Sequence, residues 1–253
     1  MEFDYIIVGG GTAGCVLANR LSANPKVSVL LLEAGKSDNY HWVHVPIGYL
    51  YCIGNPRTDW MMKTAPEPGL NGRTLSYPRG KLLGGCSSVN GMIYMRGQAA
   101  DYDGWRQMGN AGWGWDDVLP YFLKSEDHHD PDQPHHRAGG EWKVARQRLR
   151  WEVLETVQQG AKEFGIEPTA DFNGGTNEGS GFFEVNQKNG VRWNTTKAFL
   201  RPAMKRKNLK VMTGAYSRRI MIEGKRAVGV EFERDTQVSQ AKARAEVIWR
   251  RER

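Results

Sequence analysis

The sequence contains little cysteine: only Cys15, Cys52 and Cys86 among 253 residues, and the three are widely spaced. Three cysteines are too few for the disulfide framework on which small secreted domains depend. This scarcity favours a reducing compartment, and we predict a cytoplasmic location.

Long apolar runs are also missing. No stretch approaches the roughly 20 apolar residues that a membrane-spanning helix requires. Nothing before Asp4 resembles the charged and apolar parts of a secretion signal. We therefore expect no transmembrane segment, while peripheral contact with the inner membrane stays open.

No part of the chain has a strong excess of one charge. The net charge is +7, but the basic residues are scattered, with modest concentrations at 201–210 and in the last dozen positions. Scattered basic residues are typical of a solvated surface, and we predict no nucleic-acid partner. A content of 40% hydrophobic and 25% charged residues is ordinary for a globular chain, here long enough for one large domain or two interleaved ones.

The first feature that the chain does contain is a strand, a glycine loop, a helix and a second strand. Residues 5–8 are apolar and β-branched or aromatic, and residues 9–14 read GGGTAG. Residues 15–21 are typical of a helix, and residues 27–32 of a buried strand that ends at Glu33. This order predicts a βαβ unit that binds a dinucleotide.

Each part of that unit has a physical role. Gly9 permits the tight turn, Gly11 leaves room for a pyrophosphate, and Gly14 with Ala18 lets helix and strand approach closely. The helix N-terminus offers unpaired N–H groups to phosphates. Glu33, 19 residues after Gly14, can accept hydrogen bonds from a ribose hydroxyl and would repel a 2′-phosphate, which disfavours NADP. The unit alone leaves FAD and NAD open.

A second glycine-rich segment covers residues 77–97. Gly84 and Gly85 remove side chains, and Asn90 follows two serines, so this backbone is expected to pass close to a flat polar ring or a pyrophosphate. The preceding residues 34–71 are rich in glycine, proline and aromatics. They are typical either of ordered loops over a ligand or of surface loops with stray aromatics.

Four histidines occur in the polar segment 127–140, together with three aspartates. A metal site is conceivable from these residue types. Adjacent histidines in a proline-rich loop point in different directions, however, so we predict an exposed loop without metal. The histidines are His128, His129, His135 and His136.

Later segments show regular patterns. Residues 150–164 predict an amphipathic helix with Val153, Val157 and Phe164 in its buried stripe. Strands are predicted at 209–213, 219–222 and 227–232.

Taken together, these segments resemble the glucose-methanol-choline (GMC) oxidoreductase family, most closely its bacterial choline and alcohol dehydrogenase branch. Residues 4–14, 32–35 and 80–97 carry the resemblance, and residues 171–174 and 227–231 fit it. The resemblance implies an α/β fold, and it implies that residues 246–248 begin a further strand. An FAD-binding Rossmann-like domain, doubly wound with a βαβ unit, would be interleaved with part of an α+β substrate domain.

The resemblance also implies domain boundaries. Residues 1–36, 73–100 and 208–253 would form an incomplete, discontinuous FAD-binding domain. Residues 37–72 would be loops that cover FAD, and residues 101–207 the first part of a substrate-binding domain.

By the same resemblance, the cofactor is FAD. The glycine loop would hold the pyrophosphate, Glu33 the adenosine ribose, the second segment the ribityl chain and flavin ring, and Ser217 the adenine through its backbone. The expected cofactor-binding residues are Gly9, Gly11, Thr12, Ala13, Gly14, Glu33, Ala34, Leu82, Gly85, Asn90, Gly91, Met92, Ile93 and Ser217. Some members attach the flavin to a histidine; Val89 stands there in this chain, so we predict non-covalent FAD.

The implied reaction moves hydride from the carbon of a small alcohol, such as choline, to flavin N5. A quinone or other carrier is expected as electron acceptor, in preference to oxygen. The family's catalytic pair of histidine and asparagine or histidine lies in a C-terminal region that this sequence does not reach, so we assign no catalytic residue. We expect a truncated chain, with a charged ending at 249–253, that is inactive alone. A non-catalytic nucleotide-binding or interaction fragment is the alternative.

Overall fold

The computed structural model describes residues 1–249, which fall into two compact units. Residues 1–91 and 194–249 form the first unit, and Met92–Trp193 form the second. Residues 250–253, which include most of the charged ending and the end of predicted segment 208–253, lie outside the described part of the chain.

The first unit contains most of the strands. Its elements are β1 (Glu2–Val8), α1 (Thr12–Leu21), β2 (Val29–Leu32), α2 (His41–His44), α3 (Tyr49–Cys52), β3 (Met62–Lys63), β4 (Ser76–Tyr77), α7 (Arg201–Ala203), β10 (Leu209–Met212), β11 (Tyr216–Glu223), β12 (Arg226–Arg234) and β13 (Gln237–Trp249). Three 3-10 turns at Pro46–Gly48, Pro68–Leu70 and Gly85–Ser88, and a π-helical turn at Thr196–Leu200, connect them.

Six of these strands form one mixed sheet in the order β10-β2-β1-β13-β12-β11. Neighbours from β10 to β13 run parallel, whereas β12 is antiparallel to both β13 and β11. With α1 connecting the parallel strands β1 and β2, this arrangement confirms the predicted α/β fold with a βαβ unit.

The sheet forms because its central strands are apolar. All four residues of β2 are buried, as expected for a parallel strand covered on both faces. Ile6 and Leu30 are fully buried and join Phe232 and Ala241 in a core that extends along the sheet. This buried core therefore fixes the parallel strand β1, which the glycine loop follows.

The C-terminal antiparallel strands are longer than the sequence pattern predicts. Residues 219–222 and 227–232 lie within the longer β11 and β12, and residues 246–248 lie near the end of the 13-residue strand β13 rather than at its beginning. Residues 209–213 correspond to the parallel strand β10. The first part of β13 was not predicted, because small buried residues such as Ala241 and Ala243 alternate there with polar ones. Asp235 and Thr236 form the connecting turn with positive φ angles.

The observed units differ from the predicted segments at two boundaries. Residues 92–100 fall in the second unit, and residues 194–207 fall in the first. The second difference has a clear cause: Asn19 of α1 donates a hydrogen bond to the Phe199 carbonyl oxygen at 2.7 Å, so the π-helical turn packs on α1.

The second unit is built from short elements. They are α4 (Ala99–Gln107), α5 (Trp115–Ser125), β5 (Glu126–His128), β6 (Trp142–Arg146), α6 (Glu152–Glu163), β7 (Glu184–Val185), β8 (Gln187–Lys188) and β9 (Val191–Arg192). Strand β6 is central in a three-stranded sheet, parallel to β5 and antiparallel to β7.

Helix α6 forms where the periodicity predicts it, but its apolar stripe is not buried. Val153 is 60% exposed, Val157 62% and Phe164 87%. The prediction of a buried stripe is therefore wrong for the described residues, which leave this face largely uncovered. Nor is any helix within residues 1–249 both long and apolar enough to cross a bilayer.

Candidate functional site

The first glycine loop has the predicted tight geometry. Gly9 follows β1 with φ of +103°, a conformation that side chains disfavour. A Cβ atom on Gly14 would stand 1.9 Å from the carbonyl oxygen of Gly9. Glycine at position 14 therefore allows the helix and the strand to approach closely.

Helix α1 begins immediately after this loop. Gly11 is its N-cap residue, and the N–H of Cys15 makes the first bond back to the Gly11 carbonyl oxygen, at 3.0 Å. Thr12 and Ala13 are exposed in the first turn. Because N–H groups of a first turn lack partners within the helix, they form an attractive position for phosphate oxygens.

Glu33 is fixed by backbone donors. Its Oε2 accepts a hydrogen bond from the N–H of Gly10, and its Oε1 one from the N–H of Gly35, both at 2.7 Å. The side chain is buried beyond the end of β2. A carboxylate has about four acceptor positions, so Glu33 can accept more hydrogen bonds than these two.

The two glycine-rich segments meet in space. The N–H of Gly84 donates to the carbonyl oxygen of Gly10 at 2.7 Å. Gly85 has φ of +52°, and a Cβ atom there would stand 2.7 Å from the Cα of Gly11. Only glycine allows this contact between the two backbones.

Hydrogen bonds among buried polar side chains hold the second glycine-rich segment in place. The hydroxyl oxygens of Ser87 and Thr195 are 2.9 Å apart. Asn194 Nδ2 donates to Ser88 Oγ at 2.8 Å and to Asp38 Oδ2 at 3.0 Å. All five side chains are buried, so the loop is held in one conformation.

A partly open cavity lies beyond the carboxyl ends of β1 and β2. Ligands of open α/β sheets bind at this edge. Its wall brings together six of the predicted residues: Gly9, Gly11, Glu33, Ala34, Gly85 and Ser217. It also contains six that were not predicted: Val8, Leu32, Trp60, Gly80, Ala215 and Tyr216.

Some of these unpredicted residues had a signal in the sequence. Trp60 belongs to the aromatic segment 34–71, and Gly80 to the second glycine-rich segment. Tyr216 adjoins Ser217. By contrast, nothing local distinguished Ala215.

The remaining predicted residues lie outside this wall. Thr12, Ala13 and Gly14 form the first turn of α1. Leu82 is buried in a small core with Val43, Cys52 and Val89. Asn90 and Gly91 are exposed in the first unit, whereas Met92 and Ile93 belong to the second unit.

The cavity wall fits the polar parts of FAD. Ser217 Oγ is buried and has no hydrogen-bond partner among the described residues, so a polar ligand atom would satisfy it. Glu33 is a hydrogen-bond acceptor held in one position. At Gly11 and Gly85 no side chain separates the backbone from the cavity, so a ligand can approach the backbone closely. These features match a ribose, an adenine and a pyrophosphate.

Much of the segment 127–140 is exposed, as predicted, but two of its four histidines are not. His128 and His136 are buried, and their rings stack 3.7 Å apart at an interplanar angle of 13°. His136 Nδ1 lies 2.7 Å from Glu126 Oε1, and its Nε2 lies 2.9 Å from Asp171 Oδ2. Carboxylates distant in the sequence therefore fix imidazoles that the local pattern left unrestrained.

This environment determines the protonation of His136. Burial of the imidazole acts to lower its pKa, but hydrogen bonds to Asp171 and Glu126 outweigh burial and raise the pKa to about 9. Arg96 forms an ion pair with the other oxygen of Glu126. The result is a buried network of paired charges.

Comparison with known proteins gives close relatives. The chain is 42% identical over 231 residues to an alcohol dehydrogenase [acceptor] of Pseudomonas putida, a match that covers 91% of this chain and 42% of the relative. It is 41% identical over 248 residues to an oxygen-dependent choline dehydrogenase of Rhizobium etli, a match that covers 98% of this chain and 45% of the relative. The chain thus spans less than half of the length of these relatives.

Solved structures share the fold. Pyridoxine 4-oxidase from Mesorbium loti superposes with a TM-score of 0.91 at 30% identity, over 98% of this chain and 49% of that structure. An FAD-dependent oxidoreductase from Chaetomium thermophilum gives 0.90 at 28% identity, over 98% and 45%. The profile of the GMC oxidoreductases matches residues 3–249, and the chain belongs to this family of FAD-dependent enzymes.

Proposed function

We propose that the first unit binds FAD non-covalently and that the protein oxidises the CH–OH group of a small alcohol. One observation carries the cofactor proposal: Glu33 and both glycine-rich segments converge on one cavity at the carboxyl edge of the parallel strands. Family membership supports FAD over NAD.

In this proposal each side of the cavity binds one part of the cofactor. The first turn of α1, with Gly9, Gly11, Thr12, Ala13 and Gly14, holds the pyrophosphate. Glu33 and Ala34 orient the ribose, and the strand that carries Ser217 holds the adenine. The remaining first-unit residues of the second segment lie along the ribityl chain and the flavin ring; they are Leu82, Gly85, Asn90 and Gly91.

The chemistry of the bound cofactor is hydride acceptance at flavin N5. This chain's own residues bind and orient the cofactor, and the second unit contributes part of the alcohol-binding domain. We assign no catalytic base to the described residues. The alcohol is choline or a related small molecule, as the names of two relatives suggest.

The electron acceptor is a separate question. One relative is named for an unspecified acceptor and the other for oxygen. We propose a quinone or another carrier, and the test is to follow alcohol-dependent reduction of a quinone analogue and oxygen consumption in parallel.

Titration of the flavin-free chain with FAD tests the cofactor proposal. Binding should quench flavin fluorescence and reach one FAD per chain, whereas NAD should not compete. A Gly85→Ala variant should bind more weakly, because its new Cβ would collide with Gly11. Equal weak binding of FAD and NAD by the wild-type chain would contradict the proposal.

Alcohol oxidation is measured on the same FAD-loaded sample, with choline and simple primary alcohols. Turnover would show that this chain contains a complete site. FAD binding without turnover is the result that we expect of this chain alone, because we assign no catalytic base to its described residues.

A further inference from the structure

The buried carboxylate of Glu184 lies between two imidazoles of the second unit. We propose that His128, His129 and Glu184 form a binding site for a divalent transition-metal ion such as Zn²⁺. This site is separate in function from the proposed FAD cavity, and its residues all belong to the second unit.

The ligand atoms already converge. His128 Nε2 is 2.9 Å from Glu184 Oε2, and His129 Nε2 is 2.8 Å from Glu184 Oε1. One ligand atom from each of the three residues lies within 4.8 Å of the ligand atoms of the other two. Imidazole nitrogen and carboxylate oxygen bind zinc at about 2.0–2.1 Å, which sets tetrahedral ligand atoms about 3.3 Å apart, so each imidazole–carboxylate contact would need to lengthen by only about 0.5 Å.

The neighbouring His136 is less suitable as a ligand. Both of its ring nitrogens lie within hydrogen-bond distance of carboxylates, those of Glu126 and Asp171. Glu126 is also paired with the Arg96 guanidinium, which would repel a metal ion. The site that remains open to an ion is therefore the one with His129, whose side chain is 25% exposed.

Charge favours a cation at Glu184. Its side chain is only 8% exposed, and its side-chain partners among the described residues are the two imidazoles. A buried carboxylate is costly unless a positive charge compensates it. A divalent ion bound to Glu184 and two neutral imidazoles would supply that charge and leave a further coordination position for water.

The second ring nitrogen of His128 has the support that metal-bound histidines normally show. Its Nδ1 lies 2.8 Å from the carbonyl oxygen and 3.1 Å from the backbone nitrogen of Asp130, and the tautomer decides which of the two it bonds. In the tautomer that donates from Nδ1 to the carbonyl oxygen, Nε2 faces the ion. This contact fixes the orientation of the ring. The ion would connect the end of β5 to β7 on either side of β6.

The experiment is a titration of the chelator-treated chain with Zn²⁺, followed by calorimetry, and with Co²⁺, followed by visible absorption. We expect one Zn²⁺ per chain and Co²⁺ absorption bands of four-coordinate intensity. His129→Gln should weaken Zn²⁺ binding at least about tenfold, the lower limit of losses known for changes around metal sites. His41→Gln changes an exposed histidine of the other unit and should bind as the wild type does.

A second variant protects the test against a folding defect. Glu184→Gln keeps the side-chain size and should also lose Zn²⁺ binding, and circular dichroism checks that each variant is folded. Zn²⁺ should raise the melting temperature of the wild type and of His41→Gln only. Absence of Zn²⁺ and Co²⁺ binding by the wild-type chain, or equal Zn²⁺ affinity in folded His129→Gln and Glu184→Gln, would overturn the proposal.

Discussion

The N–H of Gly84 donates a hydrogen bond to the carbonyl oxygen of Gly10 at 2.7 Å. This bond joins two glycine-rich segments that are far apart in the sequence. Beside it, Gly85 stands directly against Gly11. The proposed cofactor site therefore depends on backbone contacts between the two segments as well as on the individual side chains.

Gly85→Ala should disrupt this contact. The added Cβ would lie 2.7 Å from the Cα of Gly11, and the residue's φ of +52° is unfavourable for alanine. We expect a loss of about 1–3 kcal/mol in the free energy of unfolding, typical of overpacking, together with weaker FAD binding. Urea unfolding and flavin titration measure the two effects.

Gly69→Ala is the matched control for this variant. No atom lies within 4 Å of a Cβ built on Gly69, so the stability should be nearly unchanged. Equal free energies of unfolding for Gly85→Ala and Gly69→Ala would contradict the prediction, because they would show that the two glycine-rich segments can move apart at little cost.

Glu33→Gln should weaken both the fold and the FAD complex. The carboxylate accepts N–H bonds from Gly10 and Gly35, and the amide group of glutamine would face one of these donors with another donor. Hydrogen bonds to charged groups contribute about 1.5–3 kcal/mol, and we expect a loss of that size in the free energy of unfolding. Glu223→Gln, at an exposed position, is the control. A folded Glu33→Gln chain with unchanged FAD affinity would disprove the proposed role.

Acid precipitation tests the mode of flavin attachment. Val89, rather than histidine, stands in the second segment, and it is 4% exposed within a small apolar core. We expect all of the flavin to remain in the supernatant after precipitation of the FAD-loaded chain. Yellow colour in the washed pellet would contradict non-covalent binding.

His136 should make stability depend on pH. Burial lowers its pKa, but the bonds to Asp171 and Glu126 raise it from 6.5 to about 9, so folding favours the protonated ring. This contribution is complete below pH 6.5, and it disappears as the pH rises through about 9. Urea unfolding of the wild type and His136→Gln across this range measures it. The difference in the free energy of unfolding between the two proteins should become smaller as the pH rises. A difference that stays constant with pH would contradict the prediction.

Cys15 should be inert towards thiol reagents in the folded protein. Burial raises the pKa of its thiol to about 12, so the reactive thiolate is scarce at pH 8. Labelling with an alkylating reagent, followed by peptide mass analysis, should find Cys15 modified only after denaturation. The half-buried Cys86 serves as the internal comparison and should react first. Equal labelling rates for both cysteines in the native protein would contradict this expectation.

Several features could be predicted from the sequence because their signals are local. The βαβ unit is encoded by residues that are close in the sequence: Gly9, Gly14 and Glu33. Their spacing predicts the strand, turn and helix that the structure contains. The exposed stripe of α6 shows the limit of this reasoning. Periodicity predicts an apolar face such as that of Val153 and Val157, but it does not show what covers that face.

Local sequence patterns were enough to predict the fold class, the glycine loop with its carboxylate and the family. The folded chain was needed to show that Gly85 lies against Gly11, that Trp60 lines the cavity and that His128 contacts Glu184. The physical reason is the same in each case. Spacing along the chain encodes contacts within one element and its turns, whereas contacts between distant segments depend on how strands and loops pack together.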